Sequence, residues 1–150
     1  MAASVEFHTG VPDTAAYACR LLRKASRRGV TVFCLAPDDR LQTLDRLLWT
    51  FAERDFVPHV VLGRTAAAGV VARTPIWLAA ALPAAEGPGR DVVVNLGGEL
   101  APAAARGPAR VIEVVGAQAD EVERGRALWR DYKAAGFAVV HHPFKSTTDE

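Results

Sequence analysis

Apolar and polar residues alternate through Val5-Glu6-Phe7-His8 and give way to the turn-forming Thr9-Gly10-Val11-Pro12, so the pattern opens with a short strand. Asp13 or Thr14 can accept the first free amide hydrogens of a helix. Ala15, Ala18, Leu21, Leu22 and Ala25 then recur at helical spacing, and Gly29 stands where a left-handed terminal residue belongs. Thr31-Val32-Phe33-Cys34-Leu35-Ala36 is a continuous apolar run, the pattern of a strand covered on both faces, and Pro37 ends it. From Asp38 or Asp39, a second helix carries Leu41, Leu44, Leu47, Leu48 and Phe51 at intervals of three and four, and stops before Pro58.

Four further strands are expected at 59–62, 76–79, 91–96 and 110–115, separated by Gly-, Ala- and Pro-rich loops. A last helix spans 120–135 and is closed by Gly136, with a final strand over 137–140 and a polar tail from Lys145 that is expected to fray. This order predicts an α/β fold, a three-layer sandwich around a mostly parallel (mixed) central sheet, built as one domain over 1–150. The stretches 83–90 and 97–109 lack apolar periodicity but are short enough to be connections within it.

Composition narrows the function classes. Half of the 150 residues are hydrophobic and 23% charged, enough for a buried core. The 18 basic and 17 acidic residues leave a net charge of +1, which argues against strong direct nucleic-acid binding over the whole surface. No apolar run is long enough for a membrane span, and the first residues lack a secretory pattern, so a cytoplasmic location is expected. Cys19 and Cys34 lie outside any CxxC spacing and read as buried free thiols.

The chemistry of a catalytic or cofactor site is not visible. The loop from His8 to Asp13 has one glycine and a proline, unlike the glycine-rich loops whose bare amides cradle phosphates. Asp38 suits an N-cap better than a ribose contact, and Pro102 denies Gly97-Gly98 an adjoining helix. His8, His59, His141 and His142 form no metal-binding motif, and neighbours such as His141 and His142 point to opposite faces of a strand. None of Ser4, Ser26 and Ser146 lies in a nucleophile elbow. No catalytic residue, metal or cofactor is expected.

Two segments carry more information. Trp49 and Phe56 fall off the stripe formed by Leu44, Leu48 and Phe51, so they read equally as core or as contacts with a partner. Pro58 holds Val57 extended, which fixes where Phe56 projects and would suit a presented anchor. In the last helix, at about 100° per residue from Val122, Gly125, Leu128 and Tyr132 cluster at about 240° to 300° as a buried face, while Arg126, Arg130 and Lys133 cluster at about 20° to 80°. Trp129 falls on the seam between the two faces. An aromatic wall beside cations suits an acidic peptide with an apolar side chain. Cations near a helix C-terminus also favour its dipole and cover aromatic edges, and from the residues alone this plainer reading weighs more.

These segments resemble the chi subunit family of bacterial DNA polymerase III. The matching residues are Leu48-Trp49, Phe56-Val57-Pro58-His59, Val93-Val94-Asn95-Leu96, Glu113-Val114-Val115 and Arg126-x-x-Trp129-Arg130-x-Tyr132-x-x-x-Gly136-Phe137, in the family's order and over nearly the whole chain. The resemblance implies a nucleotide-binding-like fold without a nucleotide site or activity of its own, in a subunit of the clamp-loader assembly. It implies two partners. The psi subunit, or another protein such as a repair helicase, would contact Trp49 and Phe56. The acidic, phenylalanine-ended C-terminal tail of single-stranded-DNA-binding protein would meet Arg126, Trp129 and Arg130, with Tyr132 supporting the helix from beneath.

Trp129 stands where the best-known members have tyrosine, and Arg130 where lysine is common. The stretch between Val115 and Arg126 is shorter than in those members, and the loops 64–73 and 83–90 are rich in Ala and Gly. The expected function is therefore a non-catalytic adaptor. Its rival is a small α/β enzyme or nucleotide-binding module with a loop-built site.

Overall fold

Among the described residues, seven strands run parallel in a single sheet. The structure, a computed structural model, describes residues 4–50, 57–63, 68–82, 89–100, 105 and 107–145. The elements are β1 (Ser4–Val11), α1 (Thr14–Arg27), β2 (Val32–Leu35), α2 (Asp38–Thr50), β3 (His59–Val61), α3 (Ala68–Arg73), β4 (Ile76–Ala79), β5 (Val92–Asn95), β6 (Arg110–Gly116), α4 (Ala119–Ala134) and β7 (Ala138–Pro143). The strand order is β3-β4-β2-β5-β6-β1-β7, the expected α/β sandwich is present, and the described strands include no antiparallel member.

Local chemistry sets the element ends. Asp13 caps α1, its Oδ1 accepting from Ala16 N at 3.1 Å, and Gly29 follows the helix with φ of 70°. All four residues of β2 and of β5 are buried, as continuous apolar runs require when helices cover both faces of a sheet. Alternation along the strands divides the core, and an irregularity in register between His8 and Val11 of β1 turns Val11 to the face opposite Val5 and Phe7. Val11, with Val32, Cys34, Ile112 and Val114, packs beneath α1 and α2. Val5 and Phe7, with Phe33, Val93 and Val111, meet Tyr132 of α4 on the other face. Leu22, Leu44 and Leu48 anchor the first layer. Each such side chain contributes about 1.5–3 kcal/mol on burial, and truncation of Leu44 to alanine costs about 2–5 kcal/mol.

Right-handed crossovers explain why the layers divide in this way. The chain moves from β1 through α1 and α2 toward the β3 edge, then returns through α3, β4, β5 and β6 on the α4 face. Leu100 and Ala105, in the connection after β5, are buried on that returning face, so a segment without helical periodicity still contributes to the core. Several boundaries differ from expectation, and β1 itself continues through the turn expected at Thr9-Gly10-Val11-Pro12 as far as Val11. α3 lies within the loop expected at 64–73, β7 extends through His141 and His142 to Pro143, and α4 is shifted one residue earlier. The expected tail beyond Lys145 and the loop residues 83–88 lie outside the described residues.

Candidate functional site

α4 places Arg126 and Arg130 one turn apart on its exposed side, with Trp129 half-buried between the helix and β1. The Trp129 ring leans on Phe7, with centroids 5.2 Å apart and planes at 57°, and stands edge-on to His141 at 6.2 Å. Between α4 and the ends of β1, β6 and β7 lies a cavity of about 540 Å³. Phe7, Val115, Val122 and Trp129 form its apolar wall, and Arg126 and Arg130 stand at its rim. Gly125 lets the helix lie close to the sheet, because a Cβ there would sit 3.1 Å from both methyl groups of Val115. Thr9 and His141 close one end, their Oγ1 and Nε2 atoms 2.6 Å apart. Apolar walls beneath two guanidinium groups suit an apolar side chain flanked by carboxylates.

Sequence periodicity separates Arg126 and Arg130 from the buried face of α4, and the structure brings both, with Trp129, to one cavity. It also places Tyr132 underneath, fully buried as expected. Thr9, Gly10 and His141 were not expected at this site. They arrive through the β1–β7 pairing, which joins residues far apart in the chain.

A buried polar network fixes the helix from below. The Tyr132 hydroxyl donates to Glu113 Oε2 at 2.7 Å, and Asn95 Nδ2 donates to both Glu113 oxygens at 3.0 and 3.1 Å. Asn95 also exchanges two hydrogen bonds with the backbone of Gly98, whose carbonyl accepts from Arg124 of α4. Burial pushes the Glu113 carboxyl above the usual range, opposed by the donors Tyr132 and Asn95. The Tyr132 hydroxyl is pushed up as well, by burial first and then by the Glu113 charge.

At the C-terminal ends of β1 and β6 the connections leave for opposite faces of the sheet, the position where open α/β sheets often hold nucleotides. A cavity of about 750 Å³ lies there, lined by Asp13, Asp120 and Glu121 together with Arg40. Glu121 pairs with Arg40 and accepts from Gly116 N at 3.0 Å, while the Asp13 carboxylate takes the Ala16 amide. Protein carboxylates thus use amides that a phosphate would need, and the negative charge repels one.

On the other side of the molecule, Trp49 is 61% exposed at the end of α2. Its ring stands 5.2 Å from that of His59, which Asp45 Oδ1 and the Val57 carbonyl hold at 2.9 and 2.7 Å. Trp49 therefore faces solvent, and Phe56 lies outside the described residues.

The remaining histidines separate by face. His141 turns toward Trp129, whereas His142 turns toward His8 and Glu6 on the α1 side. Arg110 grips Glu6 in a fork at 2.6 and 3.0 Å, and these hydrogen bonds hold the Glu6 carboxyl down at about 2 against the opposing effect of burial. Burial pushes the His8 imidazole below its ordinary value, which Glu6 partly offsets.

Comparison with known proteins adds a finding independent of this geometry. Residues 2–140 match the family model described as the DNA polymerase III chi subunit, HolC. The chain is 33% identical over 128 residues to the DNA polymerase III subunit chi of Pseudomonas aeruginosa, a match covering 83% of this chain and 82% of the relative.

Proposed function

The chain belongs to the DNA polymerase III chi subunit family, and on that premise we propose that it is a non-catalytic replication adaptor. It links the clamp-loader assembly to the acidic C-terminal tail of single-stranded-DNA-binding protein, in the cytoplasm. The observation that carries the reading is the convergence of Arg126, Trp129 and Arg130 on one apolar cavity. The terminal phenylalanine of the tail enters between Trp129 and Val122, and its carboxylates pair with the two arginines. Arginine at 130 can grip a carboxylate in a planar fork where lysine offers a point charge.

The second contact, with psi or another protein, uses the exposed Trp49 together with Phe56. Trp49 stands edge-on to His59 on β3, whereas the peptide cavity borders β7, and these two strands are opposite edges of the sheet. Six inter-strand steps separate them by roughly 29 Å. Both partners can therefore be held at once. Tethering by this geometry raises the local concentration of the polymerase on coated DNA, and many weak tail contacts suffice because the coating presents many tails.

The test is a titration with a fluorescent peptide copying the tail, at low and high salt. Saturable, salt-sensitive binding that disappears in Arg130→Glu is expected. Binding that is equally tight in Arg130→Glu removes the cavity from the reading, and absence of binding at high micromolar protein removes the adaptor function itself.

A further inference from the structure

On the sheet face opposite the peptide cavity, the pairing of β1 with β7 sets His8 directly beside His142, with Glu6 one pleat earlier on the same face. From these positions we infer that Glu6, His8 and His142 form a binding site for a zinc ion. One ligand atom from each residue lies within 4.8 Å of the others. His8 Nε2 is 3.1 Å from Glu6 Oε1, and His142 Nε2 is 3.9 Å from the same oxygen. Zinc held at about 2.0–2.2 Å by two imidazoles and a carboxylate in tetrahedral geometry needs ligand atoms roughly 3.3 Å apart. Only His142 has to move appreciably. Its side chain is 52% exposed, so it is free to turn inward, and its exposed side gives the ion a path and the fourth position a water.

Two further contacts orient the other ligands. The Tyr17 hydroxyl bonds His8 Nδ1, and because a hydroxyl both donates and accepts, it supports the tautomer in which Nε2 carries the free lone pair. Arg110 holds both Glu6 oxygens, Oε2 at 2.6 Å and Oε1 at 3.0 Å, so the carboxylate is fixed with Oε1 turned toward the imidazoles and a further lone pair left on it for the metal. The guanidinium charge lowers the affinity for a dication, and the site is accordingly expected to bind in the micromolar range rather than as a permanent structural centre. Two imidazoles with one carboxylate suit zinc better than the oxygen-seeking magnesium or calcium.

The full-length protein, stripped with chelator, is titrated with zinc chloride in a calorimeter and melted with and without the metal. One equivalent should bind, and the melting temperature should rise with zinc concentration. His142→Ala, at an exposed strand position, should retain the metal-free melting temperature and lose at least about tenfold in affinity. His141→Ala, whose ring faces the other side of the sheet against Thr9 and Trp129, should bind zinc as tightly as the parent. Zinc binding unaffected by His142→Ala, or no binding at a hundred-micromolar order of metal, overturns the assignment.

Discussion

Tyr132 donates its hydroxyl proton to Glu113 across 2.7 Å, joining the underside of α4 to the centre of β6 in a place with no access to water. Removing that donor leaves a buried carboxylate with only Asn95 and the more distant Arg124 to offset its charge. Tyr132→Phe is expected to lower stability by about 1.5–3 kcal/mol in urea unfolding. Peptide binding should weaken less than stability does, since Arg126 and Arg130 do not touch Tyr132's hydroxyl.

The same carboxyl gives the protein a pH dependence of predictable sign. Burial raises its pKa in the folded state, so its contribution to stability is fully present below the unfolded value and is lost as pH rises through the folded one. Glu113→Gln removes the charge and keeps one oxygen to accept from Asn95 or Tyr132, while its amide nitrogen can only donate. Between about pH 5 and about pH 8, the stability of the parent relative to this variant should fall. Denaturant midpoints measured at both ends of that range check it, and an unchanged difference would contradict the burial argument.

Gly98 is required for a reason of space. A Cβ there would lie 2.6 Å from Leu35 Cγ and 3.1 Å from Asn95 Oδ1, both in the buried layer under α4. Gly98→Ala should cost about 1–3 kcal/mol through displaced neighbours, measurable as a lowered melting temperature.

If the cavity beside α4 takes the proposed tail, charge and apolar contact should separate experimentally. Arg126→Ala and Arg130→Ala remove exposed cations, so each should weaken tail binding and flatten its salt dependence. Trp129→Ala should weaken binding while leaving the salt dependence intact, because it removes wall area and no charge. Fluorescence anisotropy at several salt concentrations distinguishes the two patterns.

Both thiols should be silent toward disulfide reagents in the native protein. Burial pushes Cys19 up to about 11 and Cys34 higher still, so neither forms appreciable thiolate near neutrality. Reaction with an aromatic disulfide should appear only once denaturant unfolds the chain.

The features legible in the sequence are those with a local cause. Asp13 and Gly29 mark the ends of α1, the unbroken apolar run marks β2, and the angular sorting of α4 puts Tyr132 inside and the arginines outside. α3 escaped because Ala68–Arg73 is too short and too rich in small residues to show a period. The far end of the cavity beside α4 escaped for another reason. Thr9 meets His141 across 132 positions of chain, and Glu6, His8 and His142 converge by the same strand pairing, which no spacing rule encodes. Trp49 could be assigned to neither core nor surface because its neighbour His59 comes from the next strand, and packing there decided its exposure.

The strand order also has a consequence for synthesis. Ser4 at the start of β1 lies between Arg110 of β6 and Ala138 of β7, so β1, made before the other described strands, has as neighbours the two that are made last among them. At about 5–20 residues per second, β1 waits for seconds without its hydrogen-bonding partners, a delay in which its apolar Val5 and Phe7 remain uncovered. Folding must then be completed from the C-terminal side after most of the chain has emerged, and nascent chains stalled before β6 should be open to proteases along β1.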